Sequence, residues 1–276
     1  MSAFDLGYCT WTVNRSDPRA AIERVGATTE LHVVQVGVFS KSALKAADPE
    51  AIQSAAKKAG VSIVGFFLGF EDEDYQSIAS IAATGGLGPD HLIDERLSVL
   101  ESAAAMTRAL GAPSLSIHAG TIPEDESSEA RRRLVARARN AAEIAARYSL
   151  ELLLETGRES AAVLSRFIDD VGMPHVAVSF DPANFVVYGT DDPVKAVGIL
   201  RNHIDLVHLK DATRSPNPGV IYGARAPFGT GDVMVPRVLS KLRASGYSGP
   251  LLLEINLGED LAALNSASNY IHSMVL

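Results

Sequence analysis

Short runs of consecutive apolar residues recur along the chain at roughly 3–9, 31–38, 61–68, 113–118, 150–155, 175–181, 204–210 and 250–255. They are near-continuously hydrophobic rather than alternating, as strands covered on both faces should be. The stretches between them carry helix start and stop signals. Asp17-Pro18, Asp48-Pro49 and Asp192-Pro193 each read as an N-cap followed by proline at the first helical position. Gly60, Gly111 and Gly246 each follow a helical pattern and fit C-caps. This strand–helix alternation, eight times over, predicts an α/β fold: one (β/α)8 TIM barrel, a single domain over residues 1–276. A doubly wound open sheet is the competing arrangement. It would want fewer repeats and a glycine-rich turn after the first strand, and GYCTWT is not one. Two connections, 69–90 and 212–232, exceed the usual βα loop length. In a barrel both leave the C-terminal face, where long loops serve as lids or substrate walls. A surface excursion without function is the alternative.

Composition narrows the partners. A chain of 276 residues with no Pro/Ser/Gly linker suits one large core. A net charge of −8 argues against nucleic acid, whose phosphates need a positive face. The start, MSAFDLGYCTW, lacks a basic n-region and a long apolar h-region, so no signal peptide is expected. No run of about 18 apolar residues suggests a membrane span. Cys9 is the single cysteine, which leaves no intramolecular disulfide. A cytoplasmic, water-soluble enzyme is the resulting expectation.

Acids and one histidine end four successive apolar runs: Glu155 in LELLLETGRE, Asp181 in VAVSFDPAN, His208 in IDLVHLKDA and Glu254 in GPLLLEIN. In a parallel barrel these strand ends share one face. Three carboxylates and one imidazole converging there would repel strongly without a divalent cation between them. The oxygen-rich set suits Mn²⁺, Mg²⁺ or Co²⁺, with Zn²⁺ also admissible. A salt bridge from Glu155 to Arg158 or to a barrel lysine is the plainer alternative.

Further candidates surround this set. Asn184 could bond substrate or cap the turn after its strand. Lys210 could hold a phosphate or hydroxyl, or neutralise the acids, and Asp211 follows it. His118, in LSIHAG, could touch a second metal or a substrate oxygen, or be a structural histidine. Arg225 in the seventh loop could clamp substrate or face solvent. Trp11 and Tyr8 could line the pocket or pack in the core. Gly229 and Gly231 in FGTGD are expected to set a tight turn. The cluster Arg131, Arg132, Arg133, Arg137 and Arg139 follows acids at a helix start, which reads as a solvated outer helix face.

The segments GYCTWT, HAG, ETGRE, FDPANFVVYGTDDP, HLKDA, PFGTGDVMVPRVLSKLRASGYSGP and LLLEI resemble, in order, the sugar phosphate isomerase/epimerase superfamily of xylose-isomerase-like barrels. The resemblance implies that Glu155, Asp181, His208 and Glu254 hold one divalent metal and that the two glutamates also move the proton. It implies a small sugar or keto-polyol substrate, phosphorylated or not, and a homo-oligomer, dimer or tetramer. Related barrels that cleave DNA at abasic sites carry further histidines. Here Asn184, Gly223 and Arg225 stand where several would fall, and only His118 remains. The segment after Glu254, INLGEDLAALNSA, looks shorter than in many relatives.

The expected chemistry is proton transfer beside a carbonyl, through a metal-stabilised cis-enediolate, with Glu155 and Glu254 as acid and base. A lyase or dehydratase could use the same site for elimination. A barrel that only binds sugar or a partner protein, and a nuclease, are the remaining readings.

Overall fold

The structure, a computed structural model, describes residues 4–27, 30–255 and 261–275. Eight strands form one closed sheet: β1 (Leu6–Cys9), β2 (Val33–Val38), β3 (Ser62–Leu68), β4 (Ser114–His118), β5 (Glu151–Glu155), β6 (Val176–Phe180), β7 (Ile204–Leu209) and β8 (Leu251–Leu253). Every neighbouring pair is parallel, and β1 closes the ring on β8 through Leu6–Leu251, Gly7–Leu252 and Tyr8–Leu253. This is the (β/α)8 TIM barrel that the spacing predicts. The expected strands are longer than the observed ones, chiefly at β1 and β8. A short helix, Thr10–Val13, follows β1 directly, and Glu254 stands one residue beyond β8. No helix among the described residues is long and apolar enough to cross a membrane.

The period-2 geometry of strands decides where the chemistry goes. Outward positions such as Leu152, Leu154, Val207, Leu209, Leu251 and Leu253 join the large core between sheet and helices. Inward positions Cys9, Val33, Leu153, Leu206 and Leu252 form a small apolar layer inside the barrel. Two residues further along those strands lie Trp11, Gln35, Glu155, His208 and Glu254. The same step leads from Ala177, packed against the inner layer, through Ser179 to Asp181. Gln35, Glu155, His208 and Glu254 are therefore the next inward positions above an apolar plug, and Asp181 lies one step higher, at the C-terminal mouth.

The helix ends behave as the sequence signals require. Asp17, Asp48 and Asp192 cap helices through their carboxylates, and Gly60 closes its helix in the left-handed conformation. One expectation is corrected. The arginine-rich helix Glu129–Arg147 is not simply a solvated face. Arg131 is among the largest buried side chains; its Nε donates to Asp170 Oδ2 (2.8 Å) and a terminal nitrogen to the Pro123 carbonyl (2.9 Å). Arg139 donates to the carbonyls of Asp170 and Val171, and Arg137 to those of Leu87 and Gly88. These arginines tie the helix to its neighbours, a role that charge pattern alone cannot separate from solvation.

Candidate metal centre and substrate pocket

The barrel mouth brings Glu155, Asp181, His208 and Glu254 together. One donor atom from each lies within 4.8 Å of all the others, and all four side chains are buried or nearly so. His208 Nδ1 is 3.2 Å from Glu155 Oε1 and 3.3 Å from Glu254 Oε2. Its other nitrogen, Nε2, lies 2.6 Å from Gln35 Oε1, and Gln35 Nε2 in turn donates to Ser116 Oγ (3.0 Å). An amide oxygen only accepts, so Nε2 carries the hydrogen and Nδ1 is presented to the carboxylates. A buried partner that fixes the tautomer of an imidazole in this way is typical of metal-ligating histidines. Gln35 gave no signal in the sequence, since a glutamine inside VVQVGV reads as an interruption of a strand.

Asp181 doubles as an N-cap. Its Oδ1 accepts the Ala183 N–H (2.8 Å) at the start of the helix Pro182–Tyr188, from the same Asp-Pro signal that marks three other helices. Its Oδ2 is buried without a hydrogen bond of good angle, and the Lys210 ammonium lies 2.5 Å from it. Two glutamates, an aspartate and an imidazole converging at this depth are the donor set of a hard divalent cation. The residues present thus fit such an ion.

The charge balance follows the second reading of Lys210, as a neutraliser of the acids. The acids do not depend on a divalent ion alone for compensation. Lys210 reaches both Asp181 and, at 3.4 Å, Glu254. His118 Nε2 lies 2.8 Å from Glu155 Oε2. Burial opposes ionisation of Glu155, yet His118 and His208 hold its carboxyl well below the usual range. Burial is likewise overcome at Glu254, held down at about 2 by Lys210 and His208. At Asp181 burial prevails and pushes the carboxyl up to about 6 against the pull of Lys210. Both glutamates are therefore ionised bases at neutral pH. Lys210→Met would strand Asp181 in the metal-free protein, a loss of about 3–5 kcal/mol. Denaturant unfolding with and without Mn²⁺ checks this: the loss should shrink when the ion supplies the missing charge.

The other candidates divide by geometry. Trp11, His118, Asn184, Lys210 and Arg225 all line one pocket of about 610 Å³ above the donor cluster, a size that accommodates a small organic molecule. Asn184 Nδ2 donates to the Thr156 carbonyl (2.7 Å), which anchors its amide at the pocket wall. Arg225 is exposed at the rim, where its backbone bridges Ala212. Tyr8 is buried in the core, and Arg158 turns to Thr121 rather than to Glu155. Asp211 lines the same pocket, and the loop beside it is organised around its side chain. Its carboxylate accepts the N–H groups of Ala212 (2.9 Å), Gly229 (3.0 Å), Gly231 (2.8 Å) and Val233 (3.3 Å). It pins the loop 212–232 into a wall. Gly231 is required there, because a Cβ would lie 2.3 Å from Asp211 Oδ1. Asp211→Ala should cost at least about 2 kcal/mol through stranded N–H groups and open the loop to limited proteolysis, which a fragment map would show.

The opposite half of the mouth is aromatic. Trp11, Phe39 and Phe67 stand 5.1–5.7 Å apart, and Trp11 meets His208 edge-on at 5.6 Å. Gly37 and Gly69 make room for this wall: a Cβ would come within 2.2 Å of the Trp11 ring and 2.4 Å of the Phe39 ring. Donors thus come from β5–β8 and aromatic rings from β1–β3. The loop 69–90 adds Phe70, Glu73 and Tyr75 to the pocket and contains a helix of its own, Ile78–Thr84. Beyond the main donor set, one further group of potential metal ligands occurs among the described residues. It is Cys9–His208–Glu254, which shares two members with the first. A separate multi-metal cluster of the nuclease kind has no counterpart among them. The segment after Glu254 falls largely on residues 256–260, outside the described residues.

Comparison with known proteins fits this geometry. No curated protein sequence matches the chain significantly. Among solved structures, a xylose isomerase domain protein from Planctomyces limnophilus is 29% identical, with a TM-score of 0.89 over 99% of this chain and 98% of that one. A D-tagatose 3-epimerase-like protein superposes with a TM-score of 0.76 at 17% identity, covering 98% and 97% of the two chains. A xylose isomerase-like TIM barrel protein from Mycobacterium smegmatis, in complex with magnesium, gives 0.70 at 15% identity, covering 100% and 98%. The family described as the xylose isomerase-like TIM barrel matches residues 22–273. The chain belongs to that family.

Proposed function

We propose that the protein is a divalent-metal-dependent isomerase or epimerase of a small sugar or keto-polyol. The observation that carries this reading is the pair of glutamates, Glu155 and Glu254, on either side of His208 in one buried donor cluster. Glu155, Asp181, His208 and Glu254 would hold the ion. When bound, it supplies Lewis-acid polarisation of a substrate carbonyl and the neighbouring hydroxyl. A magnesium complex in a related barrel supports the choice of a hard cation.

The chain's own groups do the rest. The aromatic wall of Trp11, Phe39 and Phe67 accepts the carbon face of a sugar and keeps water from that side. One glutamate removes the proton from the carbon next to the carbonyl, and the other returns a proton. Return to the opposite face of the same carbon inverts it; return to the former carbonyl carbon, with the hydroxyl proton passing to the former carbonyl oxygen, moves the carbonyl. Lys210, 3.4 Å from Glu254 Oε1, stabilises that carboxylate in its basic form. The fold's similarity to a D-tagatose 3-epimerase-like protein supports a substrate of monosaccharide size.

Elimination would begin with the same proton removal. Incubating the metal-loaded protein with keto-sugars, keto-polyols and their phosphates in deuterated water, followed by NMR, separates the outcomes. Deuterium uptake at a carbon next to the carbonyl, with all oxygens retained, is the expected result. Loss of water or of an aglycone would replace this proposal by a lyase, and no exchange with any of these classes would remove it.

A further inference from the structure

We propose that Glu73 and Tyr75, in the loop after β3, are positioning residues for Glu155 and act on it through His118. The inference rests on the reading of Glu155 as metal ligand and base. His118 ends β4, and its ring meets Phe67 edge-on at 5.4 Å. Its Nε2 lies 2.8 Å from Glu155 Oε2. Its Nδ1 lies 3.2 Å from the Tyr75 hydroxyl and 3.8 Å from Glu73 Oε2. The Tyr75 hydroxyl also donates to Glu73 Oε2 (3.2 Å).

Glu73 is itself held. Its side chain is 3% exposed, and its Oε1 accepts the Gly86 N–H at 2.8 Å. The same loop is nailed down by the buried Arg96, which pairs with Asp72 (2.8 Å) and donates to the Thr84 and Gly86 carbonyls. A continuous set of contacts therefore runs from the helix Ile93–Ala109 through the loop to His118 and on to Glu155.

The consequence lies in the two oxygens of Glu155. A free carboxylate turns readily about its last bond, so its oxygens exchange places. Here His118 takes Oε2, and Oε1 is left facing His208 Nδ1 at 3.2 Å, inside the donor cluster. Removing the partners of Nδ1 frees the imidazole to turn and so releases the carboxylate. Outer partners of metal ligands typically contribute tenfold to a hundredfold to metal affinity. This assignment makes His118 a support of Glu155 rather than a contact of the substrate.

The test uses Tyr75→Phe, Glu73→Gln and the double variant of the full chain. Glutamine keeps the size of Glu73 and an oxygen for the Gly86 N–H. Mn²⁺ affinity is read from the EPR signal of free Mn²⁺, and kcat and KM from solvent deuterium exchange. The double variant should bind Mn²⁺ about tenfold more weakly. At saturating Mn²⁺, kcat should fall with KM held within about twofold of wild type. Unchanged Mn²⁺ affinity together with unchanged kcat would overturn the proposal. So would a raised KM with unchanged Mn²⁺ affinity, which is the signature of a substrate contact. If no keto-sugar class exchanges with the wild-type protein, the proposed reaction fails, yet the Mn²⁺ affinities still decide the positioning role. Should the double variant misfold, Tyr75→Phe, which removes only a hydroxyl from a residue 46% exposed, carries the same readouts.

Discussion

Replacing either Glu155 or Glu254 by glutamine should lower kcat by roughly a hundredfold or more while the barrel stays folded. Glutamine keeps the volume and one acceptor oxygen, so packing around β5 and beyond β8 is preserved. It cannot take up a proton, and its amide nitrogen would face His208 Nδ1, now 3.2 Å from Glu155 Oε1 and 3.3 Å from Glu254 Oε2. The two variants should also fail differently. If the glutamates serve opposite partners, each variant retains deuterium wash-in from the substrate whose proton the remaining glutamate removes. Each should lose net conversion. Circular dichroism and a thermal melt check the fold, and NMR in deuterated water reads the exchange. Near-normal turnover in either variant would rule out two-base transfer.

Stripping divalent ions should abolish turnover yet leave a folded protein. Many buried metal sites unfold without their ion, because like charges are left unpaired. Here the Lys210 ammonium and the His118 imidazole lie against the acids. Burial disfavours the charged form of His118, yet Glu155 and Glu73 hold it well above its usual range. The metal-free protein should therefore melt cooperatively. Mn²⁺, Mg²⁺ or Co²⁺ should restore activity and raise the melting temperature. At a hundred times Kd the gain is about 2.7 kcal/mol, or several degrees for a chain of this size. Calorimetry with and without chelator checks the shift, and elemental analysis the stoichiometry of one ion per chain. Full activity in exhaustively chelated protein would remove the metal from the reaction.

Much of this was legible in the sequence, for physical reasons that differ by element. The strands announce themselves because both faces are buried, so each reads as an unbroken apolar run. Glu155, Asp181, His208 and Glu254 stand out because a charge at the end of such a run costs much to bury without purpose. What stayed hidden is contact across the ring. Gln35 touches His208, a residue 173 positions away, and nothing local marks it. Glu73 and Tyr75 sit in the long connection 69–90, whose length suggests a lid or wall but not that Glu73 is buried against His118. Asp211 follows Lys210 and lines the pocket as its position suggests, but its hold on the loop is hidden. Its four N–H partners come from a loop whose path the sequence does not reveal. Arg131 reads as surface charge because a pattern of arginines says nothing of which carbonyls they will meet.

Trp11 is the single tryptophan of the chain, and its ring meets the imidazole of His208 edge-on. An imidazolium quenches indole emission by accepting an electron from the excited ring, whereas a neutral imidazole does so far less. Burial works against the charged form of His208, yet Cys9, Glu155 and Glu254 hold that imidazole well above its ordinary range. Magnesium, which unlike Mn²⁺ and Co²⁺ has no unpaired electrons to quench the indole, would displace that proton on binding, and the indole should brighten. The barrel mouth thus carries its own optical gauge, and loading can be followed in unlabelled protein by ultraviolet fluorescence alone.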